Sequence, residues 1–357
     1  MRICLLADAN SIHTARWAHA FAERGHETHV ISFRPAAIDG VTVHAAGAVP
    51  APGRMRYLAQ VPRIRRLIRA LRPDIVHAFH ATSYGLVAAL SGFHPRLVHA
   101  TGRDILDLAQ NSRLYRLLVR FNLANADALT ATSAALARAA AELAPDASTA
   151  TIIPFGVDST VFDPARFARR RSTDDVRIGV TKALEPVYGL DILIRAFAQA
   201  KRERPELSLV LVGDGSLRRE LQALADGLEV GHAVHFPGRL PPGEIPGQLA
   251  RMDIFVLSAG VEGFGVGAVE AMAMELPVIA TDTGGPGDIV VHERTGLLIA
   301  AHCPHALARG LVRLAGDAAL RRRMGQAGRH RAMELFDWNR CVGRMLEVYG
   351  RVGAAGG

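Results

Sequence analysis

Short apolar runs separated by polar or glycine-containing turns recur along the whole chain. Runs at residues 3–6, 28–32, 75–77, 97–99, 128–131 and 151–153 have strand length and alternate with longer stretches of helical composition. The alternation resumes after Pro164, with runs at 176–180, 207–212, 233–236, 254–257, 278–280 and 297–299. Strand-then-helix order of this kind predicts mostly parallel, helix-covered sheets. Two successive sets predict an α/β protein of two Rossmann-like domains, with a ligand cleft at the carboxyl ends of the strands. The expected domains span residues 1–160 and 161–335. A linker is expected at 154–172, which holds Pro154, Pro164 and the run Arg169-Arg170-Arg171. Residues 336–357 are expected to form a C-terminal helix from Trp338 to Val352 and a mobile Gly/Ala tail.

A length of 357 residues is long for a single core, and two domains are the natural prior. Apolar residues at 49% and charged residues at 21% indicate a globular chain and exclude a disordered one. No apolar run reaches the roughly 18 residues of a membrane span. The first run is followed at once by Asp8, Asn10 and Arg16, which marks a core strand rather than a signal peptide. Cys4, Cys303 and Cys341 are few, odd in number and scattered, so no disulfide framework is expected and a reducing cytoplasm is the expected location. His302-Cys-Pro-His305 invites a metal reading, but it lacks a second ligand pair at zinc spacing and reads better as a surface loop after a strand.

The net charge of +8 is uneven. Residues 1–160 hold 17 Lys/Arg against 11 Asp/Glu, whereas the remainder holds 25 against 23. Between Gly53 and Asp74, Arg54, Arg56, Arg63, Arg65, Arg66, Arg69 and Arg72 interleave with apolar residues. As a helix this segment is either packed on its sheet with arginines in water, or a basic amphipathic surface for peripheral contact with anionic headgroups at the inner face of the plasma membrane. No recognition motif supports nucleic acid binding.

Candidate chemistry concentrates between Ser258 and Ile299. An apolar run at 253–258 leads into Gly263, Gly265 and Gly267, and helix formers follow from Ala268. Glycines in a strand-to-helix turn admit a ligand close to the backbone, and the first N–H groups of the helix suit a diphosphate. Glu262 precedes the turn and Glu270 lies about one turn into the helix, placed to accept hydrogen bonds from sugar hydroxyls.

Glu262-Gly-Phe-Gly-Val-x-x-x-Glu270, with Leu276-Pro-Val-Ile-Ala280 and Gly284-Gly285 after it, resembles the E-x7-E donor signature of retaining glycosyltransferases of family 4, which have the GT-B fold. The resemblance extends over nearly the whole chain. Thr151-Ile-Ile-Pro-Phe-Gly-Val-Asp158 with Phe162-Asp-Pro164 is similar to the family's interdomain segment, and Leu209-Val-Leu-Val-Gly213-Asp-Gly-Ser-Leu-Arg218 to its nucleotide-side strand and turn. The resemblance implies that the C-terminal helix crosses back to the first domain.

It also implies roles. Lys182 takes the first basic position of the family's phosphate clamp, and it is one of two lysines in a chain with forty arginines. The second clamp position holds Val187, so the diphosphate must be neutralised in part by helix N-termini, Arg239 or a first-domain residue. Glu262 is assigned to the donor sugar and Glu270 to the ribose. Phe264, Gly265 and Val266 face the sugar and diphosphate, and Gly213, Gly238 and Arg239 border the nucleotide. In the first domain, Asn10 or Ser11 is the expected N-cap of a helix starting in Asp8-Ala-Asn-Ser-Ile-His-Thr-Ala-Arg-Trp17. His13 is a candidate acceptor or phosphate contact, or a packing histidine. His80 is favoured over His77 as the catalytic-side histidine of His77-Ala-Phe-His80. Asp104 of Thr101-Gly-Arg-Asp104 either meets acceptor hydroxyls or caps a helix, and Asp288 either replaces the family's usual glutamate or caps its helix.

No Asp-x-Asp triplet occurs, so no metal is expected to be required and no cofactor is implied. The expected activity is transfer of a sugar from a nucleotide donor, UDP-sugars ranked before GDP- and ADP-sugars, to a hydroxyl of a glycan, lipid-linked sugar or small molecule. A hydrolysing sugar-nucleotide epimerase and a non-catalytic sugar-nucleotide sensor are the alternatives.

Overall fold

The computed structural model describes residues 1–47, 56–102, 104–167 and 175–355. Gly53, Arg54, Arg103 and Arg169 to Arg171, singled out above, lie outside these. The chain forms two compact units, Met1–Phe155 with Arg340–Gly357, and Gly156–Asn339.

The first unit is built on β1 (Arg2–Leu6), β2 (Glu27–Ser32), β3 (Thr42–Ala45), β4 (Ile75–Phe79), β5 (Arg96–Ala100), β6 (Ala128–Ala131) and β7 (Thr151–Ile152), in the order β3-β2-β1-β4-β5-β6-β7. The second holds β8 (Val176–Thr181), β9 (Leu207–Val212), β10 (Val234–Gly238), β11 (Ile254–Leu257), β12 (Val278–Thr281) and β13 (Gly296–Ile299), in the order β10-β9-β8-β11-β12-β13. Among the described residues every ladder is parallel, with Leu5 opposite both Val30 and His77, and Ile178 opposite both Leu209 and Ile254. The central strands are buried on both faces, as helix-covered parallel sheets require, which is why they read as unbroken apolar runs.

In each unit three strands are laid down in one direction and the fourth pairs on the far side of the first. The winding therefore reverses between β1 and β4, and again between β8 and β11. At such a reversal the two following loops diverge and leave space beyond the strand ends.

One strand was not anticipated. β3, Thr42–Ala45, is a partly exposed edge strand whose only strong apolar residue is Val43, too little for a run. β10 extends through Pro237 to Gly238 with a register shift after His235, which an edge strand tolerates because it need not donate on its open side.

The C-terminal helix runs over Trp338–Ala355, three residues beyond the expected end, and from Arg340 it belongs to the first unit. There Tyr349 packs on Phe21 of the helix Ile12–Glu23, and its hydroxyl lies 2.5 Å from His77 Nδ1. His77 and its neighbour His99 are fully buried, with His99 Nδ1 2.7 Å from the Thr130 hydroxyl. Burial, and then the neighbouring His99, hold His77 well below the usual histidine range. Burial, with His80 and His13 nearby, takes His99 from 6.5 down to about 3.

Both rings are therefore neutral in the folded chain near pH 6, whereas the unfolded chain binds protons there. Stability should fall as pH drops below 6.5, for His99 until about pH 3, by up to about 1.4 kcal/mol per pH unit per histidine. Denaturant midpoints measured through this window for the wild type and for His99→Gln, which keeps a polar group toward Thr130, should show the shallower slope in the variant. Equal slopes would mean that His99 titrates normally in the folded state.

Candidate functional site

The reversal in the second unit makes β8 and β11 neighbours, so the loops that follow them start side by side before they diverge. Lys182 is the first residue past β8, and Glu262 lies five residues past β11. Lys182 Nζ donates to Glu262 Oε2 at 2.6 Å, and its ammonium lies 4.6 Å from the centre of the Tyr188 ring. Only 19% of the lysine side chain and 14% of the glutamate are exposed, so removing one partner leaves a poorly hydrated charge, at a cost on the order of 3 kcal/mol. The lysine backbone is fixed as well: its N–H donates to Val212 O at 2.9 Å.

Glycines permit the close packing of these strand ends. Gly213 has φ 149°, and a Cβ there would sit 1.9 Å from the Lys182 carbonyl oxygen. Its N–H donates to Gly238 O at 2.9 Å, so the ends of β8, β9 and β10 are tied in series. Gly265, at φ 108°, caps the helix Val266–Ala273 without a side-chain cap bond. Gly285 N–H donates to Glu262 O at 3.1 Å, and a Cβ on Gly285 would meet Gly263 O at 2.4 Å and Phe264 Cα at 2.6 Å. The loop carrying Glu262 is thus seated on the loop after β12 by backbone contact.

The other second-unit residues divide by exposure. Glu270 is the fifth residue of the helix Val266–Ala273 and is half-buried, as is Val266. The side chain of Phe264 is not available to a ligand: it is 2% exposed and packs edge-on against Phe336 at 5.6 Å, because the apolar ring gains more from the core than from a polar turn. Arg239 is exposed just past β10. Val187 places no charge at the second clamp position; its carbonyl accepts from Gly260 N–H at 3.1 Å. Asp288 is half-buried in the short helix Gly285–Ile289, where its carbonyl accepts from Arg331.

Three residues here are given no role by the sequence. Arg218 holds the Phe236 carbonyl at 2.9 Å and lies 3.6 Å from Asp214. Glu185 accepts from the hydroxyl and N–H of Ser216, at 2.7 and 3.0 Å, and these bonds hold its carboxyl below the usual carboxylate range. Tyr188 supplies the ring beside Lys182. The available signal for Tyr188 was its place in the same loop as the lone clamp lysine.

In the first unit the reversal lies between β1 and β4. Ser11 occupies the N-cap position of the helix Ile12–Glu23, but its hydroxyl makes no cap bond. His13 is half-exposed and stacks on Phe155, with ring centroids 4.4 Å apart. His80 follows β4 in a left-handed conformation, φ 73°, and is exposed, its Nδ1 2.7 Å from the Thr101 hydroxyl. His77 lies within β4, which is buried on both faces, whereas His80 lies beyond the strand's end. Asp104 is 5% exposed. Its Oδ2 accepts from Ala81 N–H at 2.5 Å, so it fixes the turn beyond His80 rather than capping a helix or presenting a carboxylate outward.

Among the described residues no group of three or more His, Cys, Asp or Glu side chains is placed to hold a metal ion. His302 lies in the turn after β13 with its ring against Gly260.

Gly285→Ala should lower stability by about 1–3 kcal/mol, because the loops after β11 and β12 must separate. Gly243→Ala, where an added Cβ meets nothing within 4 Å, should be close to neutral. Chemical denaturation of both variants checks this, and equal midpoints would show that the two loops are not held in contact.

Comparisons with known proteins bear on the family and the fold. The family described as "Glycosyl transferases group 1" matches residues 161–331, and "Glycosyl transferase 4-like" matches residues 2–133. A GDP-mannose-dependent alpha-(1-6)-phosphatidylinositol monomannoside mannosyltransferase of Mycolicibacterium smegmatis is 32% identical over 209 residues, and the match spans 55% of each chain. Sucrose-phosphate synthase of Thermosynechococcus elongatus superposes with a TM-score of 0.85 at 22% identity, over 99% of this chain and 100% of that one. Anabaena HepE, crystallised with UDP and glucose, does so with a TM-score of 0.83 at 22% identity, over 98% and 99%. With one family pattern on each unit, and the same fold over nearly its full length, the chain belongs to the family-4 type of group 1 glycosyltransferases and has the GT-B fold.

Proposed function

We propose that this chain transfers a sugar from a nucleoside-diphosphate sugar to an acceptor hydroxyl, and that the second unit carries the donor. The observation that supports this best is the Lys182–Glu262 pair at 2.6 Å, held at the reversal between β8 and β11. An ammonium and a carboxylate side by side match the two ends of the bond to be broken: a diphosphate that gains negative charge, and a sugar rich in hydroxyl donors.

In this reading the bond between the anomeric carbon and the diphosphate oxygen breaks, and its electron pair stays on the phosphate. Lys182 stabilises that charge. A fixed charge at the leaving group in a poorly hydrated site is commonly the largest single contribution to such a reaction. The acceptor oxygen bonds to the anomeric carbon and gives its proton to the departing phosphate, on the same face, so that configuration is retained. Glu262 holds sugar hydroxyls, Glu270 holds the ribose, and the open N-terminus of the helix behind Gly265 adds N–H donors to the diphosphate. His80 and His13, at the reversal of the first unit, serve the acceptor, and Asp104 acts as a positioning residue for the turn after His80.

UDP-sugars remain the first donors to try. HepE was crystallised with UDP and the mycobacterial relative is named for GDP-mannose, so GDP-sugars come next. Incubation with UDP-, GDP- and ADP-sugars, with mass detection of nucleotide and glycosylated product, tests the reading. Tight nucleotide binding without turnover on any acceptor would make the chain a sensor instead.

Lys182→Ala should lower kcat about 10²–10³-fold, because it removes the charge opposite the leaving group. Glu262→Gln should lower turnover far more than nucleotide affinity, whereas Glu270→Gln should weaken nucleotide binding. Calorimetric titration of both glutamine variants separates the roles, and equal loss of nucleotide affinity would overturn them. With Lys182 as the neutralising group, activity in EDTA should stay within a few-fold of the untreated rate. Complete loss restored by manganese or magnesium would place a metal on the diphosphate.

A further inference from the structure

The helix Arg113–Ala124 carries an apolar stripe that the core does not use. Val119, Asn122 and Leu123 are buried on its inner face, but Leu114 and Leu117 are each 66% exposed and Phe121 is 44% exposed. With 3.6 residues per turn these three side chains fall within an arc of about 60°, roughly opposite the buried face. Single exposed leucines are ordinary; three large apolar side chains aligned along one helix form a patch that calls for a partner.

The same helix indicates what that partner is. Arg113, Arg116 and Arg120 are all exposed and fall in a second arc of about 60° beside the apolar stripe. Their contacts are modest. Arg116 reaches Ala109 O at 3.3 Å, and Arg120 lies 3.4 Å from Asp146 in a pair whose side chains are 56% and 83% exposed. The helix Arg56–Leu71 belongs to the same layer. It shares one core cluster with Arg113–Ala124 through Ile64, Ile68, Val119 and Leu123, and it leaves Arg63, Arg66 and Arg69 exposed. One side of the first unit therefore combines an apolar stripe with two exposed rows of guanidinium groups.

We propose that the helix Arg113–Ala124 lies in the interface of an anionic lipid bilayer, with Leu114, Leu117 and Phe121 entering the acyl boundary and Arg113, Arg116 and Arg120 on headgroup phosphates. This is the geometry of an interfacial helix, in which apolar burial and attraction to anionic lipid act together. Pairing of two copies through this face is disfavoured by charge, because a two-fold contact would bring like rows of arginine together. From the sequence, the arginine-rich segment from Arg54 to Arg72 is either a packed helix with solvated arginines or such a contact surface; the structure adds an element with exposed apolar side chains able to insert. The proposal does not rest on which donor the second unit takes.

Flotation of the full-length chain with phosphatidylcholine vesicles, and with phosphatidylcholine–phosphatidylglycerol vesicles, tests it. Wild type should bind the mixed vesicles at least roughly tenfold better than the neutral ones, and the difference should shrink at high salt. Leu114→Ser/Leu117→Ser/Phe121→Ser, at exposed positions, should lose most of this binding while circular dichroism and nucleotide affinity stay unchanged. Arg113→Glu/Arg116→Glu/Arg120→Glu should lose the preference for anionic lipid. In Phe121→Trp, indole emission should shift to the blue with vesicles and be quenched by brominated acyl chains. Wild type that ignores anionic vesicles, a serine variant that binds them equally well, or a concentration-dependent dimer that the serine substitutions abolish would each overturn the proposal, the last in favour of a second copy of the chain. Because nucleotide binding is read separately, failure here leaves the glycosyl-transfer reading untouched, and failure of donor turnover leaves this one untouched.

Discussion

The candidate site depends on one reversal of winding. After β10 the chain returns to the other side of β8 and lays down β11, so the loops that leave β8 and β11 open away from each other at the strand ends. That reversal brings Lys182 and Glu262, eighty positions apart, to 2.6 Å. A winding that continued in one direction would separate them by the width of intervening strands. The pair then depends on its surroundings, since both side chains are mostly out of water and each neutralises the other. What local charge the site can offer a ligand is set by how the contact yields to one.

Close backbone packing is the second requirement, and glycine meets it where a side chain cannot. Gly213 lies against the Lys182 carbonyl, and Gly285 against Gly263 and Phe264, at distances that exclude a Cβ. These contacts stack the loops after β8, β9, β11 and β12 without side chains between them. The polar groups of the site thereby stand on backbone fixed by strand ends, and the bonds from Ser216 to Glu185 brace the outer side of the same set of loops. Phe264 shows the converse: within a sequence that reads as a ligand turn, an apolar ring goes to the core.

The first unit uses its histidines in two ways set by exposure. His77 and His99 lie inside with Tyr349, which joins the C-terminal helix to this unit, while His80 and His13 are at or near the surface at the ends of β4 and β1. The left-handed backbone at His80 turns the chain out of the sheet, and Asp104 secures the next residue. On the helix layer of this unit, buried Val119 and Leu123 and exposed Leu117 and Phe121 come from one amphipathic segment with apolar residues on two faces. Only one face is needed for folding.

By itself the sequence determined the periodic architecture. Strands buried on both faces must be continuous apolar runs, so the central strands of both sheets could be read directly, whereas the edge strand Thr42–Ala45, half in solvent, left no such run. It also singled out candidate residues for the chemistry, because a glycine-rich turn between a strand and a helix, two glutamates at a fixed spacing and a rare lysine are local features. Only the tertiary structure decided who meets whom. Strand order is a non-local property, and it alone puts Lys182 on Glu262. Burial is likewise collective: whether a phenylalanine, a histidine or an aspartate faces a ligand or the core depends on neighbours far along the chain. For that reason Phe264 and Asp104 turned inward, and Leu114, Leu117 and Phe121, which any helix pattern would assign to a core, were left in solvent.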